Sequence, residues 1–224
     1  FGDSIYEVIC TSQGKPCFLN EHLNRLYASA SGISLEIPNG SEEIKEQIQN
    51  TLDSAGNNES YIRIIVTRGI GEVDIDPSSC LNPNIIIFVK GIPQIPAESY
   101  RKGVSIALVS IKRNSADSLN PAVKTGNYLN NVLARIEAQK MGAEDAIMVN
   151  SLGQLTEGTT SNLFFIKGGR LLTPVKECGI LSGITREKII QIAQKNGITL
   201  EEGKWSSEEL FNVEEIFLSG TVKK

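Results

Sequence analysis

The chain has 224 residues, 40% of them hydrophobic and 21% charged, which is the composition of an ordinary globular protein with one large or two modest domains. A formal net charge of −4 without a dense lysine or arginine run argues against a nucleic-acid or anionic-membrane partner. No apolar run approaches the roughly 20 residues that cross a bilayer, so no membrane partner is expected.

The first part of the chain predicts a small α+β domain over residues 1–90. Two β-rich runs flank a Gln-Gly turn signal and indicate a hairpin over residues 4–19. Asn20 is expected to cap a helix that ends near Gly32. Arg25 lies off the apolar stripe of this helix, where a lone arginine is usually a solvated charge. The other expected elements are a helix over residues 41–56 and strands over residues 61–67 and 85–89.

The second part of the chain predicts a larger domain over residues 100–224. Two prolines and few large apolar residues make residues 91–99 the expected interdomain linker. A helix after Lys124 should stop near Gly142 and bury one apolar face. The residues of that face are Leu129, Val132, Leu133, Ile136 and Met141. The other expected elements are strands over residues 104–111, 145–149, 163–166, 171–173 and 215–218, a helix over residues 183–197, and a short helix capped by Ser206.

Cysteine and histidine usage narrows the chemistry. The four cysteines form no CxxC pair, so we expect reduced thiols in a cytoplasmic protein, with no disulfide framework and no metal site. The sequence contains a single histidine, His22, and no obvious serine or cysteine nucleophile motif with which it could form a catalytic triad. If the chain is an enzyme, its proton transfers are expected to use lysine, tyrosine or carboxylate side chains.

Lys124 and Glu157 are candidate reactive residues. Lys124 stands ahead of a helix rather than on its polar face, and desolvation there would favour the free amine, a nucleophile toward carbonyls. Most lysines are solvent charges, so this position is weak evidence by itself. Glu157 lies among small hydroxyl residues, where two interpretations are open: a buried carboxylate beside a cationic partner, and a solvated carboxylate at a turn.

Two glycine positions are candidate anion sites. Gly183, Ile184 and Thr185 open a helix, where N–H groups without intrahelical partners point outward at the positive end of the helix dipole. Gly220 and Thr221 end a strand with a glycine that admits a ligand to the backbone and a hydroxyl that can donate. A glycine before a helix more often only marks the boundary of the helix, so neither position establishes a site alone.

Six separated motifs follow one another along the chain: FGDSIYEV, EHLNRLYASA, KTGNYLNNVLARIEA, LTEGTTSNLFFIKGGRLLTP, ILSGITR and EEIFLSGT. In this order and spacing they resemble the class IV aminotransferases. These fold-type IV pyridoxal-phosphate enzymes include branched-chain aminotransferases, D-amino-acid aminotransferases and aminodeoxychorismate lyases. The resemblance implies a two-domain α/β (α+β) fold, with a small N-terminal α+β domain and a larger, strand-rich pseudo-barrel domain with packed helices. The family pattern continues beyond both ends, so further strands are expected before Phe1 and after Lys224.

By this resemblance the cofactor is pyridoxal 5'-phosphate, which Lys124 would bind covalently. Glu157 would meet the pyridine nitrogen and keep it protonated, so that the ring can accept electrons from the substrate. Tyr128 would hydrogen-bond the phenolic oxygen of the cofactor. Lys124, once released, would shuttle the proton between the α-carbon and the cofactor. The residues expected around the phosphate are Arg25, Gly183, Ile184, Thr185, Gly220 and Thr221.

The resemblance also implies the substrate pocket. Tyr6, Tyr61 and Arg63 would line it, and the backbone of Thr221 and Val222 would receive a carboxylate. The implied partners are a small-molecule amino acid and a 2-oxo acid, without metal. A homodimer is expected, because the active site of the family is completed by a loop of the neighbouring subunit.

The implied reaction is transamination, with an L-branched-chain or similarly apolar amino acid and glutamate/2-oxoglutarate as partners. The run Tyr61-Ile62-Arg63 resembles the branched-chain pattern, in which the arginine meets the distal carboxylate of glutamate. In D-amino-acid enzymes of the family an arginine and a histidine hold the carboxylate, whereas Val73 and Ile75 fall near those positions here. D-amino-acid transamination is therefore the first alternative and aminodeoxychorismate lyase the second. The non-enzyme alternative is an aminotransferase-like cofactor-binding protein without activity.

Overall fold

The structure is a computed structural model that describes residues 2–92 and 94–222. Residues 1, 93, 223 and 224, which fall in the expected domains and linker, lie outside the described residues. No helix in the described part of the chain is both long enough and apolar enough to cross a bilayer.

The chain divides into two compact units, Phe1–Gln94 with Val123–Asn127 and Ile95–Ala122 with Tyr128–Lys224. The expected domain boundaries stay a prediction. What the sequence did not indicate is that a five-residue segment around Lys124 belongs with the first unit, although it follows the expected linker.

The first unit is an antiparallel sheet with two helices packed against it. Its elements are β1 (Ser4–Ser12), β2 (Lys15–Pro16), α1 (Leu19–Ser31), α2 (Ser41–Ala55), β3 (Ser60–Thr67) and β4 (Asn84–Gly91). The strand order is β2-β1-β3-β4. Ile5 and Ile9 of β1 pair in register with Val66 and Ile62 of β3, and all four are completely buried. Since alternate strand residues point to opposite faces, they form one apolar face, which packs against the buried stripes of α1 and α2.

The start of α1 corrects two expectations. The helix begins at Leu19, and its N-cap is Phe18 in the left-handed conformation (φ 52°, ψ 38°), without a side-chain capping hydrogen bond. Asn20 therefore does not cap the helix. The second strand of the hairpin is also shorter than expected, because β2 covers only Lys15–Pro16 and Phe18 then turns the chain into the helix.

The second unit is rich in strands. Its elements are α3 (Ala97–Lys102), β5 (Ile106–Leu108), α4 (Leu129–Lys140), β6 (Asp145–Val149), β7 (Leu155–Gly158), β8 (Asn162–Lys167), β9 (Arg170–Pro174), α5 (Ile184–Lys195), β10 (Leu200–Gly203) and β11 (Glu215–Ser219). The sheet order is β10-β9-β8-β7-β6-β5, and β11 pairs with β8. The strand expected over residues 104–111 shrinks to β5. Ser206 precedes a short 3₁₀ helix, Ser207–Asn212, without the expected capping hydrogen bond.

The apolar face of α4 is the largest departure. The helix forms over nearly the expected residues, but the five large apolar side chains of that face are exposed, from 42% for Ile136 to 68% for Leu129. Ala134 and Ala138 are buried instead, in a cluster with Ala107 and the strand β6. Small residues let the helix approach the sheet closely. The large apolar residues lie on the opposite, exposed face of the helix.

Candidate functional site

Lys124 lies in a short extended segment along the edge of β1. The Tyr6 N–H donates to the Lys124 carbonyl at 3.0 Å, and the Gly126 N–H donates to the Ser4 carbonyl at 2.7 Å. The Lys124 N–H donates to Ser29 Oγ of α1 at 3.1 Å. The backbone of Lys124 is therefore held on both sides, by the backbone of β1 and by the Ser29 hydroxyl of α1.

The side chains of Lys124 and Arg63 meet on the ring of Tyr6. Lys124 Nζ lies 3.3 Å from Tyr6 Oη and 4.4 Å from the ring centroid. The Arg63 guanidinium carbon also lies 4.4 Å from that centroid. Tyr6 is 6% exposed, so this lysine is shielded on one side by an aromatic ring. The structure thus brings together three of the residues expected at the site.

Tyr61 lies on the same sheet face. It pairs in register with Cys10 of β1 and Lys90 of β4, and Lys90 Nζ lies 5.2 Å from its ring centroid. Arg63 pairs with Val8 and Phe88, one step along the same face. Its Nε is buried and makes no hydrogen bond within the described part of the chain. A buried guanidinium nitrogen in this position can receive an anionic group.

Arg25 is paired with a buried carboxylate rather than solvated. Its Nε and Nη2 lie 2.6 and 2.8 Å from the two carboxylate oxygens of Glu7, and His22 Nδ1 lies 2.7 Å from Glu7 Oε2. Glu7 is 0% exposed. Burial raises the pKa of Glu7, but the hydrogen bonds from Arg25 and His22, with their charges, outweigh it and lower the pKa to about 2. Ser29, which binds the Lys124 backbone, lies one helical turn beyond Arg25.

In the second unit, Glu157 is a buried carboxylate with a cationic partner. Its Oε1 accepts from Arg113 Nε at 3.0 Å, and its Oε2 accepts from Asn162 Nδ2 at 3.2 Å and from the Leu181 N–H at 3.0 Å. The side chains of Arg113 and Glu157 are 10% and 6% exposed. Of the two interpretations left open by the sequence, the buried carboxylate beside a cation is the one observed.

Asn162 lies between Glu157 and the two glycine positions: its side chain contacts Glu157 and the backbone at Gly183, and its backbone pairs with the last residue of β11, directly before Gly220. Its Nδ2 also donates to the Leu181 carbonyl at 3.0 Å, and a Cβ on Gly183 would lie 1.9 Å from its Oδ1. A side chain at position 183 would therefore displace the Asn162 amide. Ser219, the last residue of β11, pairs in register with Asn162, and its buried Oγ has no hydrogen-bond partner among the described residues.

The remaining expected residues follow from these positions. Ile184 and Thr185 begin α5 directly after Gly183. Gly220 follows β11, where a Cβ would lie 3.3 Å from the Thr160 carbonyl, and Thr221 and Val222 come next. Tyr128 is the residue from which α4 starts, with its carbonyl accepting from the Val132 N–H at 3.0 Å. The roles given to these residues stay predictions.

Sequence reasoning missed Glu7, Arg113 and Asn162. Glu7 carried a usable signal, because a charge between the inward-facing Ile5 and Ile9 of an alternating strand must be buried. Arg113 carried none, since it lies 44 residues from Glu157 in a segment without periodicity. Asn162 stands inside the motif LTEGTTSNLFFIKGGRLLTP, directly before the strand expected over residues 163–166, and the motif gave it no role.

Comparison with known proteins identifies the family. The model of the class IV amino-transferases matches residues 4–224. A Methanocaldococcus jannaschii protein, named provisionally as a branched-chain-amino-acid aminotransferase, is 38% identical over 221 residues, which are 99% of this chain and 76% of that protein. The D-alanine aminotransferase of Bacillus licheniformis is 33% identical over 221 residues, again 99% of this chain and 76% of the relative.

A solved structure has the same fold. A branched-chain amino acid aminotransferase from T.th., solved with pyridoxamine 5'-phosphate, superimposes with a TM-score of 0.94 at 29% identity, over 99% of this chain and 74% of the other.

Proposed function

The chain belongs to the class IV aminotransferases, and on that premise we propose that it transfers an amino group between an L-branched-chain or similarly apolar amino acid and a 2-oxo acid, with glutamate and 2-oxoglutarate as one pair. The resemblance drawn from the motifs is confirmed, and with it the mixed α/β fold class and the class of enzyme, an aminotransferase. The substrate pair is the part that is proposed.

Class IV aminotransferases use pyridoxal 5'-phosphate, so the expected cofactor is confirmed. The donor set suits this group: an amine at Lys124 for its aldehyde, a buried carboxylate at Glu157 for its ring nitrogen, and the N-terminus of α5 at Gly183 for its phosphate. When bound, the cofactor withdraws electrons from the α-carbon of the amino acid.

The proposed roles follow from this donor set. Lys124 Nζ would hold the cofactor and carry the proton of the substrate α-carbon, and Tyr6 Oη, 3.3 Å away, would orient the amine. Arg113, which binds the Glu157 carboxylate, would keep that carboxylate in place for the ring nitrogen, and Tyr128 would hydrogen-bond the phenolic oxygen. The residues proposed around the phosphate are Arg25, Gly183, Ile184, Thr185, Gly220 and Thr221.

The observation that carries the substrate proposal is the buried Nε of Arg63 beside Tyr6 and Lys124. A guanidinium there can receive the distal carboxylate of glutamate or 2-oxoglutarate. Val8, Ile65 and Phe88 share its sheet face and offer apolar surface to a branched side chain. The backbone of Thr221 and Val222 is proposed to bind the α-carboxylate, and Tyr61 to complete the pocket.

D-amino-acid transamination is the second candidate, because a D-alanine aminotransferase is among the relatives. Against it stand Val73 and Ile75, which are 100% and 88% exposed in the loop between β3 and β4. Neither side chain can bind a carboxylate, which a D-specific enzyme of this family does with arginine and histidine near these positions.

Half-reactions test the substrate class. The protein loaded with pyridoxal phosphate should be converted by L-leucine and by L-glutamate, followed as loss of the bound aldehyde chromophore without any 2-oxo acid present. D-alanine should convert it far more slowly. Conversion by D-alanine alone would overturn the proposal in favour of the second candidate.

Arg63→Met is the matched variant for this test. Hydrogen bonds to charged groups contribute about 1.5–3 kcal/mol, so KM for glutamate and 2-oxoglutarate should rise about 10- to 100-fold. KM for leucine, which has no distal carboxylate, should stay within about twofold. An equal rise for both amino acids would mean that Arg63 supports the sheet rather than the substrate.

A homodimer is proposed from the exposed apolar stripe of α4, which is Leu129, Val132, Leu133, Ile136 and Met141. Such a stripe on a helix normally faces another apolar surface. In a twofold dimer the same stripe can serve both partners, because it meets its own copy. The exposed loop between β3 and β4, with Ile70, Val73, Ile75 and Leu81, is a second apolar surface for the neighbouring subunit.

Leu133→Glu should weaken this dimer. Burying a carboxylate at each copy of the stripe should raise the dissociation constant on the order of 100-fold, measured by sedimentation over a concentration series. Gln194→Glu, an exposed position on α5 and so outside the stripe, is the control and should have no effect. An unchanged molar mass for Leu133→Glu at all concentrations would place the dimer interface elsewhere or remove it.

Cytoplasmic residence is proposed from the cysteines. None of the described cysteines, Cys10, Cys17, Cys80 and Cys178, forms a disulfide, and Cys10 and Cys178 are buried. Burial raises the pKa of the Cys178 thiol and keeps it protonated and unreactive. Persistent free thiols are typical of a reducing compartment.

A further inference from the structure

A polar stripe runs along the buried face of α1. His22, Arg25 and Ser29 follow one another at helical spacing, and His22 and Ser29 are each only 2% exposed. The Arg25 side chain is 13% exposed. His22 and Arg25 bind the carboxylate of Glu7 on β1, and Ser29 binds the backbone N–H of Lys124. One helix face therefore contacts both β1 and the segment that carries the reactive lysine.

Glu7 fixes the plane of the Arg25 guanidinium. The Nε and Nη2 of the arginine meet different oxygens of one carboxylate, at 2.6 and 2.8 Å. Because a guanidinium is planar and rigid, two bonds along one edge determine the direction of its other edge. His22 Nδ1, at 2.7 Å from Glu7 Oε2, limits rotation of the carboxylate in turn.

Stability alone is a weak explanation for this buried cluster. Removing charges from water costs several kcal/mol per ion, and apolar residues of similar volume are often as stable or more stable. Surrounding core residues such as Ile5, Ile9 and Leu26 show that the neighbourhood is otherwise apolar. A cluster of this kind is best explained by what it orients.

We propose that Glu7 and His22 are positioning residues that hold the Arg25 guanidinium in the direction needed to receive the phosphate of the cofactor. The inference rests on the proposed role of Arg25. Glu7 also removes rotational freedom that Arg25 would otherwise lose on binding, so the orientation exists before the phosphate arrives.

The test compares pyridoxal phosphate with pyridoxal, which lacks the phosphate. Both aldehydes react with Lys124, so the ratio of their dissociation constants isolates the phosphate contribution. Dissociation constants are measured on cofactor-stripped full-length protein by absorbance titration. Glu7→Gln should reduce the preference for pyridoxal phosphate about tenfold and leave pyridoxal binding unchanged. Glu7→Asp, which keeps the charge, should restore part of the preference.

Two further variants bracket the result. His22→Asn should reduce the preference for pyridoxal phosphate less than Glu7→Gln does. If thermal unfolding of the cofactor-free protein shows that Glu7→Gln does not fold, His22→Asn is the variant that tests the proposal. Glu59→Gln is the control, since Glu59 is a carboxylate of the same unit that accepts from Thr11 and Gln13. The control should bind both aldehydes like the native chain.

Arg25→Met separates the two levels of the proposal. If it leaves the preference intact, Arg25 does not hold the phosphate and the proposed cofactor contact fails. If Arg25→Met removes the preference but Glu7→Gln and His22→Asn do not, the positioning inference is overturned while the contact stands. Equal weakening of both aldehydes by Glu7→Gln also overturns it, because a structural role alone would do the same.

Discussion

Replacing Lys124 with alanine should abolish transamination and covalent attachment of the cofactor. The lysine is proposed both to hold pyridoxal phosphate and to carry the proton from the substrate α-carbon, and no other lysine amine is proposed in the site. Loss of a positioned acid–base group alone costs about 100- to 10,000-fold, so kcat should fall at least about 1,000-fold. Borohydride reduction followed by peptide mapping should label residue 124 in the native chain and nothing in the variant.

Lys45→Ala is the matched control for this experiment. Lys45 pairs with Glu42 on the surface of α2, in the same unit as Lys124. It should keep full activity and full labelling. Residual labelling of Lys124→Ala at another lysine, with activity above about one hundredth of native, would contradict the proposed role. The variant should unfold at the same temperature as the native chain, because the hydrogen bonds of the Lys124 backbone to Tyr6 and Ser29 do not involve the lysine side chain. An unchanged melting temperature shows that the loss of activity is not caused by unfolding.

The sequence predicted the elements around this lysine better than their arrangement. Helical spacing located α4, but spacing alone cannot say which face of a helix is buried. Hydrophobicity favoured the face with Leu129 and Leu133, whereas Ala134 and Ala138 are buried because close helix–sheet packing needs small residues. The large residues lie on the other face of the helix and are exposed.

The segment around Lys124 could not be placed from local pattern either. Residues 123–127 form hydrogen bonds with β1 more than 100 residues earlier, and nothing in their own composition signals that pairing. Gly32 helps to admit the segment, since a Cβ there would lie 2.6 Å from Val123 Cγ2. A glycine read as the stop of α1 thus also makes room for the strand that carries the lysine.

The partners of the buried charges could not be identified from local sequence patterns either. The motifs pointed to Arg25 and Glu157, but not to their partners Glu7 and Arg113, which lie 18 and 44 residues earlier in the chain. Desolvation requires each of these charges to have a partner, so a partner could be expected on physical grounds. Which residue supplies it depends on the fold, and the local sequence does not encode that.

Replacing Glu157 with glutamine should leave the cofactor attached to Lys124 but slow transamination about 100- to 1,000-fold, the cost typical of removing one preorganised electrostatic contact. Its carboxylate accepts from Arg113, Asn162 and the Leu181 N–H. A glutamine amide has one oxygen and one NH₂ group, so at least one of these donors would face another donor. The neutral side chain also cannot stabilise a protonated ring nitrogen, which weakens electron withdrawal from the α-carbon.

The matched control for this substitution is Glu137→Gln, since Glu137 is a carboxylate of the same unit that accepts from the N–H groups of Ser110 and Ile111. Its loss should change kcat less than about twofold. A Glu157→Gln enzyme with native kcat would remove Glu157 from the proposed site. An enzyme that no longer binds pyridoxal phosphate would instead make Glu157 a structural partner of Arg113. Stopped-flow half-reactions with L-leucine distinguish these outcomes, because native-like cofactor binding with a slow proton-transfer phase is expected only if the carboxylate acts on the ring.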